Sequence, residues 1–137
     1  MDSLMRRPVV AADAALPARE GAILMERQRV GCLVVVRAGK PVGIVTERDV
    51  VFRVVAAGRD PASTRLEEIM SAPIATVAPD ASVDDAAGLM KRLRIKRLVV
   101  VRDGEARGVI SVTDIAYASP EASRAMLDAW VKQRWED

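Results

Sequence analysis

The sequence predicts a mixed α/β fold in which one β-α-β-β-α unit is built twice and followed by a C-terminal helix. Three observations carry this. Shifted by 65 residues, Met5 to Asp49 overlies Met70 to Asp114 without a gap and 15 of the 45 pairs are identical, where background residue frequencies would give about three. Within each copy, short β-branched runs alternate with segments of helical period. Half of the 137 residues are hydrophobic but only 3% are aromatic, so the core must be built from Val, Ile, Leu, Met and Ala, which suits strands packed on small-faced helices.

The first copy gives a helix over Ala18 to Arg27, strands over Leu33 to Val36 and Val42 to Val45, and a helix over Glu47 to Ala57. Gly58 to Thr64 reads as a linker. In the second copy, Ile74 to Val77 is a short strand and Pro79-Asp80 a turn, and Ser82 caps a helix reaching Leu93 with Val83, Ala86, Leu89, Met90 and Leu93 on one face. Leu98 to Val101 is a continuous apolar run of the kind buried on both faces. Asp103-Gly104 forms a turn, Arg107 to Ile110 a third strand, and a helix opens at Ser111 and stops before Pro120. The register is loosest at Ala11 to Ala18, where ADAALPARE against VAPDASVDD leaves room for a small shift. Neither copy could bury both faces of its sheet alone, so the two are expected to pack about a pseudo-twofold axis. This gives one module over residues 1–137, with repeats at about 4–58 and 66–118 and a helix at about 120–135.

Two matching motifs attract chemistry. Thr46 and Ser111 sit where a strand gives way to a helix, so their hydroxyls and the free N–H groups of the first turn would cradle a phosphate or hydroxyl. Asp49 and Asp114, three residues on, lie on the same side of that turn, where a carboxylate accepts both hydroxyls of a ribose cis-diol. The same spacing is also a capping box that needs no ligand, and Ser82 to Asp85 repeats it on a helix where no site is expected.

The strand order, the repeat length and the phrases RVGCLVVVRAGKPVGIVTERD and RIKRLVVVRDGEARGVISVTD resemble the CBS-domain family over about residues 4–118. The resemblance implies a Bateman module: paired repeats with two clefts that commonly hold AMP, ADP, ATP or S-adenosylmethionine, and two modules commonly stacked as a disc-shaped dimer. It implies no chemistry by such a pair alone. Carried onto this chain, it makes the second cleft the better nucleotide site, with Thr76 from the first strand, Ile95 against the adenine, Arg97 beside Lys96 on phosphate, and Ser111 and Asp114 on the ribose. Arginine's rigid fork suits a phosphate. The weaker cleft would use Val10, Val30, Thr46 and Asp49. There Gly31 and Cys32 replace the basic pair, Ala11 replaces Thr76, and Arg48 is the residue able to swing in from the helix.

The chain has no histidine, which removes Ser/His and Cys/His relays and His-ligated metals; no metal site or Gly-rich phosphate loop is expected. No enzyme is expected. The one cysteine, Cys32, reads as structural. With no apolar run long enough to span a bilayer and no secretory start, the expected location is the cytoplasm. Lys91 to Arg97, KRLRIKR, is expected to be a solvated face with one phosphate ligand, nucleic-acid binding being the minor alternative. The tail helix, with Met126, Trp130 and Trp135, either covers a core edge or contacts a partner. The leading expectation is a homodimeric adenine-nucleotide sensor, AMP foremost, that signals occupancy to a second protein by a shape change. Its rival is a ligand-independent assembly module whose motifs only cap helices.

Overall fold

The computed structural model describes residues 9–118 together with Glu121 and Arg124; the expected tail helix lies outside them. The described residues fall into two compact units, one of residues 9–74 with 104–106 and the other of residues 75–103 with those from 107 on. The first contains β1 (Ala11–Asp13), α1 (Ala18–Gln28), β2 (Cys32–Arg37), β3 (Lys40–Thr46), α2 (Glu47–Val50) continued by a π-helical turn over Val51–Val55, and α3 (Leu66–Ile69). The second contains β4 (Thr76–Val77), α4 (Val83–Leu93), β5 (Arg97–Arg102), β6 (Glu105–Ser111) from Arg107 on, and α5 (Val112–Ala118).

Each unit has a three-stranded sheet, in the orders β1-β2-β3 and β4-β5-β6. β1 runs parallel to β2 with Ala11 opposite Val34, and β4 runs parallel to β5 with Thr76 opposite Val99. α4, β5 and β6 each begin and end 65 residues after α1, β2 and β3. The slack that the sequence left around Ala11 to Ala18 is therefore not used. Turn chemistry explains why the hairpins keep step: Ala38 and Gly39 have φ of 51° and 77°, and Asp103 and Gly104 have 54° and 77°. Two consecutive positive φ values mark the two-residue turn whose twist matches paired strands.

The long helices end alike and begin differently. Arg29 and Arg94, both at φ 55°, stop α1 and α4 in the left-handed conformation, and the amides of Val30 and Ile95 each reach back 3.0 Å to the carbonyls of Met25 and Met90. Val30 and Ile95 then pack on the same cores as those methionines, completing a Schellman end. At the other end, Ser82 caps α4 with its own hydroxyl, whereas Pro17 has none to offer α1. The carbonyls of Thr64 and Pro61 take the first α1 amides instead, at 2.6 and 3.0 Å from Ala18 and Arg19.

Leu33, Val34 and Val35, and likewise Leu98, Val99 and Val100, are buried on both faces of their strands, as the apolar runs require. The first core also takes Leu66 and Ile69 from α3, a helix that the sequence pattern does not show. The 65-residue register assigns these residues to the second copy, but their side chains are fully buried in the first unit. Gly21 makes room, since a Cβ there would lie 2.8 Å from Leu66 Cδ2. β4 is shorter than the expected strand from Ile74.

Candidate functional site

At both strand-to-helix junctions the backbone leaves a strand at Thr46 or Ser111 and turns directly into a helix. The Asp49 amide donates to Thr46 Oγ1 at 3.2 Å, while Asp49 Oδ2 accepts from the Thr46 amide at 2.8 Å and from its hydroxyl at 3.1 Å. Ser111 and Asp114 repeat this with distances of 3.2, 2.8 and 3.0 Å. The capping box is thus formed at both motifs, and it holds each carboxylate through one oxygen. Ser82 and Asp85 form the same reciprocal backbone bonds at 3.0 and 3.3 Å, with both residues exposed; the other two boxes are half-buried.

One expectation is corrected here. The first-turn amides were expected to be free for an anion, but Glu47 and Val112 donate to the carbonyls of Gly31 and Lys96 at 3.1 and 2.9 Å, and Asp49 and Asp114 donate to the capping hydroxyls. These bonds anchor each helix to the residue before the central strand. An anion at either junction therefore has fewer backbone donors than the sequence suggested.

The Asp49 side chain is 12% exposed, and its Oδ1 stands 3.7 Å from Arg53 Nε. Arg53 spends one guanidinium nitrogen on the carbonyls of Ile69 and Met70, at 2.8 and 3.2 Å. Sequence reasoning missed Arg53, although an Asp and an Arg four apart on a helix was a readable signal. The Arg48 guanidinium lies over the Phe52 ring, 5.1 Å from the centroid.

The remaining predicted residues divide between the units. Val30 and Ile95 are half-buried against their own cores, and Val10, half-buried too, accepts the Val34 amide through its carbonyl at 3.0 Å. Cys32 opens β2 opposite Thr46. Arg97 opens β5 at the equivalent position, half-buried and next to Lys96, whose carbonyl anchors α5. Thr76 is exposed on β4, with β5 between it and Ser111. The structure thus clusters Lys96, Arg97, Ser111 and Asp114 at one end of the second sheet, and Cys32, Thr46 and Asp49 at the matching end of the first. Lys91, Arg92 and Arg94 are exposed on the end of α4 and its left-handed cap. No helix among the described residues is long and apolar enough to cross a membrane.

A duplicated α/β unit whose two helix-opening Ser/Thr-x-x-Asp motifs stand in the same geometry defines a tandem-repeat module of the CBS type. The CBS domain family matches residues 1–56 and 66–121, and the chain belongs to that family. Among solved structures, a CBS domain protein of Pyrobaculum aerophilum complexed with AMP is 33% identical, with a TM-score of 0.74 over 95% of this chain and 96% of that one. A hexameric CBS-CP12 protein from bloom-forming cyanobacteria is 34% identical, with a TM-score of 0.79 over 85% of this chain and 66% of its own. A Methanopyrus kandleri protein is 37% identical over 117 residues, and the match spans 84% of this chain and 60% of that relative's length.

Proposed function

We propose that this CBS pair is a regulatory module that binds an adenine nucleotide, AMP foremost, and does no chemistry of its own. The observation that carries the reading is the pair of half-buried Ser/Thr-x-x-Asp junctions in which one carboxylate oxygen is fixed by the cap, orienting the carboxylate for a ribose diol. AMP in the Pyrobaculum relative supports it, since that chain matches this one almost end to end. The second site is the stronger, with Ser111 and Asp114 on the ribose, Arg97 and Lys96 on phosphate, Ile95 against the base and Thr76 from the neighbouring strand. Thr46, Asp49, Val30 and Val10 form the weaker site, to which Arg48 comes only by leaving Phe52. ADP, ATP and S-adenosylmethionine are the other candidate ligands.

The 137 residues act as one cytoplasmic module, a homodimer of CBS pairs, in which the ligand stabilises one packing and so alters a surface read by a second protein. Hexamers in the CBS-CP12 relative support self-association of such pairs. A thermal-shift series with AMP, ADP, ATP and S-adenosylmethionine, each at about a hundred times its dissociation constant, tests this. At that ratio binding to the native state alone adds about 2.7 kcal/mol whichever ligand is used, and AMP is expected to reach it at the lowest concentration. A series with no shift leaves the assembly-module reading in its place.

A further inference from the structure

The segment that leaves the first unit is fastened to the candidate site by two ties. Ser71 pairs with Ile44 on the open edge of β3, through Ile44 N to Ser71 O at 3.1 Å and Ser71 N to Ile44 O at 2.9 Å. Two residues later β3 ends at Thr46. Gly43 permits this approach, because a Cβ there would lie 2.6 Å from Met70 Sδ and 2.9 Å from the Ser71 carbonyl. The second tie is Arg53, whose guanidinium holds the last carbonyls of α3 while its Nε faces Asp49 Oδ1. A cation at a helix C-terminus satisfies carbonyls that the helix itself cannot.

We propose that Arg53 is a positioning residue that couples occupancy of Asp49 to the hold on residues 69–71, the stretch leading out of the first unit. The inference rests on the nucleotide reading above and adds to it a route out of the weaker site. A ribose hydroxyl donating to Asp49 Oδ1 fixes the carboxylate that faces Arg53 and so narrows the range of the guanidinium. That in turn holds the Ile69 and Met70 carbonyls and keeps Ser71 on β3. The sequence register gives the second repeat no matching arginine, since Ala118 stands 65 residues after Arg53. The first site, poorer in phosphate ligands, would then be the one that reports.

Hydrogen exchange on the full chain, with and without saturating AMP, tests this in wild type, Arg53→Met, Asp49→Ala and Asp114→Ala. Arg53 is half-exposed and its hydrocarbon stem is kept by methionine, so the fold is expected to survive. In wild type and Asp114→Ala, AMP slows exchange of the Ser71 amide about tenfold, an ordinary coupling between sites. In Asp49→Ala and Arg53→Met the slowing falls below about twofold, while Arg53→Met still binds AMP within about fivefold of wild type, as loss of a part-exposed ion pair implies. Full slowing in Arg53→Met, or none at Ser71 in a wild type that binds AMP, overturns the role of Arg53 and leaves the nucleotide reading intact. A wild type that binds no AMP in a parallel calorimetric titration removes both.

Discussion

Removing a hydroxyl from each of two capping boxes separates a cap from a binding site. Ser82 and Ser111 each accept the amide of the aspartate three residues on, at 3.0 and 3.2 Å, so Ser82→Ala and Ser111→Ala should each cost about 1 kcal/mol of stability without ligand. With AMP at about a hundred times the wild-type dissociation constant, Ser82→Ala should regain the full ligand contribution of about 2.7 kcal/mol. Ser111→Ala loses a hydroxyl at the proposed ribose site; one hydrogen bond is worth about 1.4 kcal/mol at the upper end, a tenfold weaker affinity. The ratio of ligand to dissociation constant then falls to about ten, and the gain to about 1.4 kcal/mol. Urea unfolding of both variants with and without AMP measures all four numbers. Equal gains for the two variants would mean that the Ser111 box only caps its helix, and the argument for a site there would fail.

Three further outcomes follow from geometry on other parts of the molecule. Ala38 is the one non-glycine in the first hairpin turn and sits at φ 51°, so Ala38→Asn should add roughly 0.5–1 kcal/mol; an unchanged or lower urea midpoint contradicts this. Gly43→Ala forces a Cβ against Met70 and the Ser71 carbonyl and should cost about 1–3 kcal/mol, with faster exchange at Ser71; a cost near zero would show that the segment is not pinned. The carboxyl of Glu68 is held below the ordinary glutamate range, first by the Arg65 amide and then by the Arg59 guanidinium, both at 2.6 Å. A group whose folded pKa is depressed contributes stability above its unfolded value and loses it as pH falls through the folded one. Wild type should therefore lose more stability than Glu68→Gln between about pH 6 and 3, and parallel urea midpoints would refute it.

The fold was legible because the chain states it twice. Leu33 to Val36 alone does not distinguish a buried strand from a helix segment, but its repetition at Leu98 to Val101, each followed by a glycine turn and a Ser/Thr-x-x-Asp helix start, fixes both strands and helices. What escaped depends on partners distant in sequence. α3 is four residues long and exists because Leu66 and Ile69 fill the first core beside Gly21, which no local period reveals. The π-helical turn after Val50 leaves Val51, Phe52 and Val55 at least half-exposed while Val54 is buried, a departure invisible in the run VVFRVV. At the candidate site the motif residues and the Asp–hydroxyl contacts were readable from spacing. The engagement of the Glu47 and Val112 amides was not, because their acceptors are the carbonyls of Gly31 and Lys96, just before the central strands. Arg53 was half legible: its spacing from Asp49 was readable, but its carbonyl acceptors lie 16 and 17 residues away.

The most direct measurement of the central claim is a calorimetric titration of AMP into wild type, Asp49→Ala and Asp114→Ala, with circular dichroism confirming that all three are folded. The account predicts saturable binding to wild type, loss of the tighter event in Asp114→Ala, and its retention in Asp49→Ala. Binding that is equal in all three, or absent from folded wild type, would contradict it.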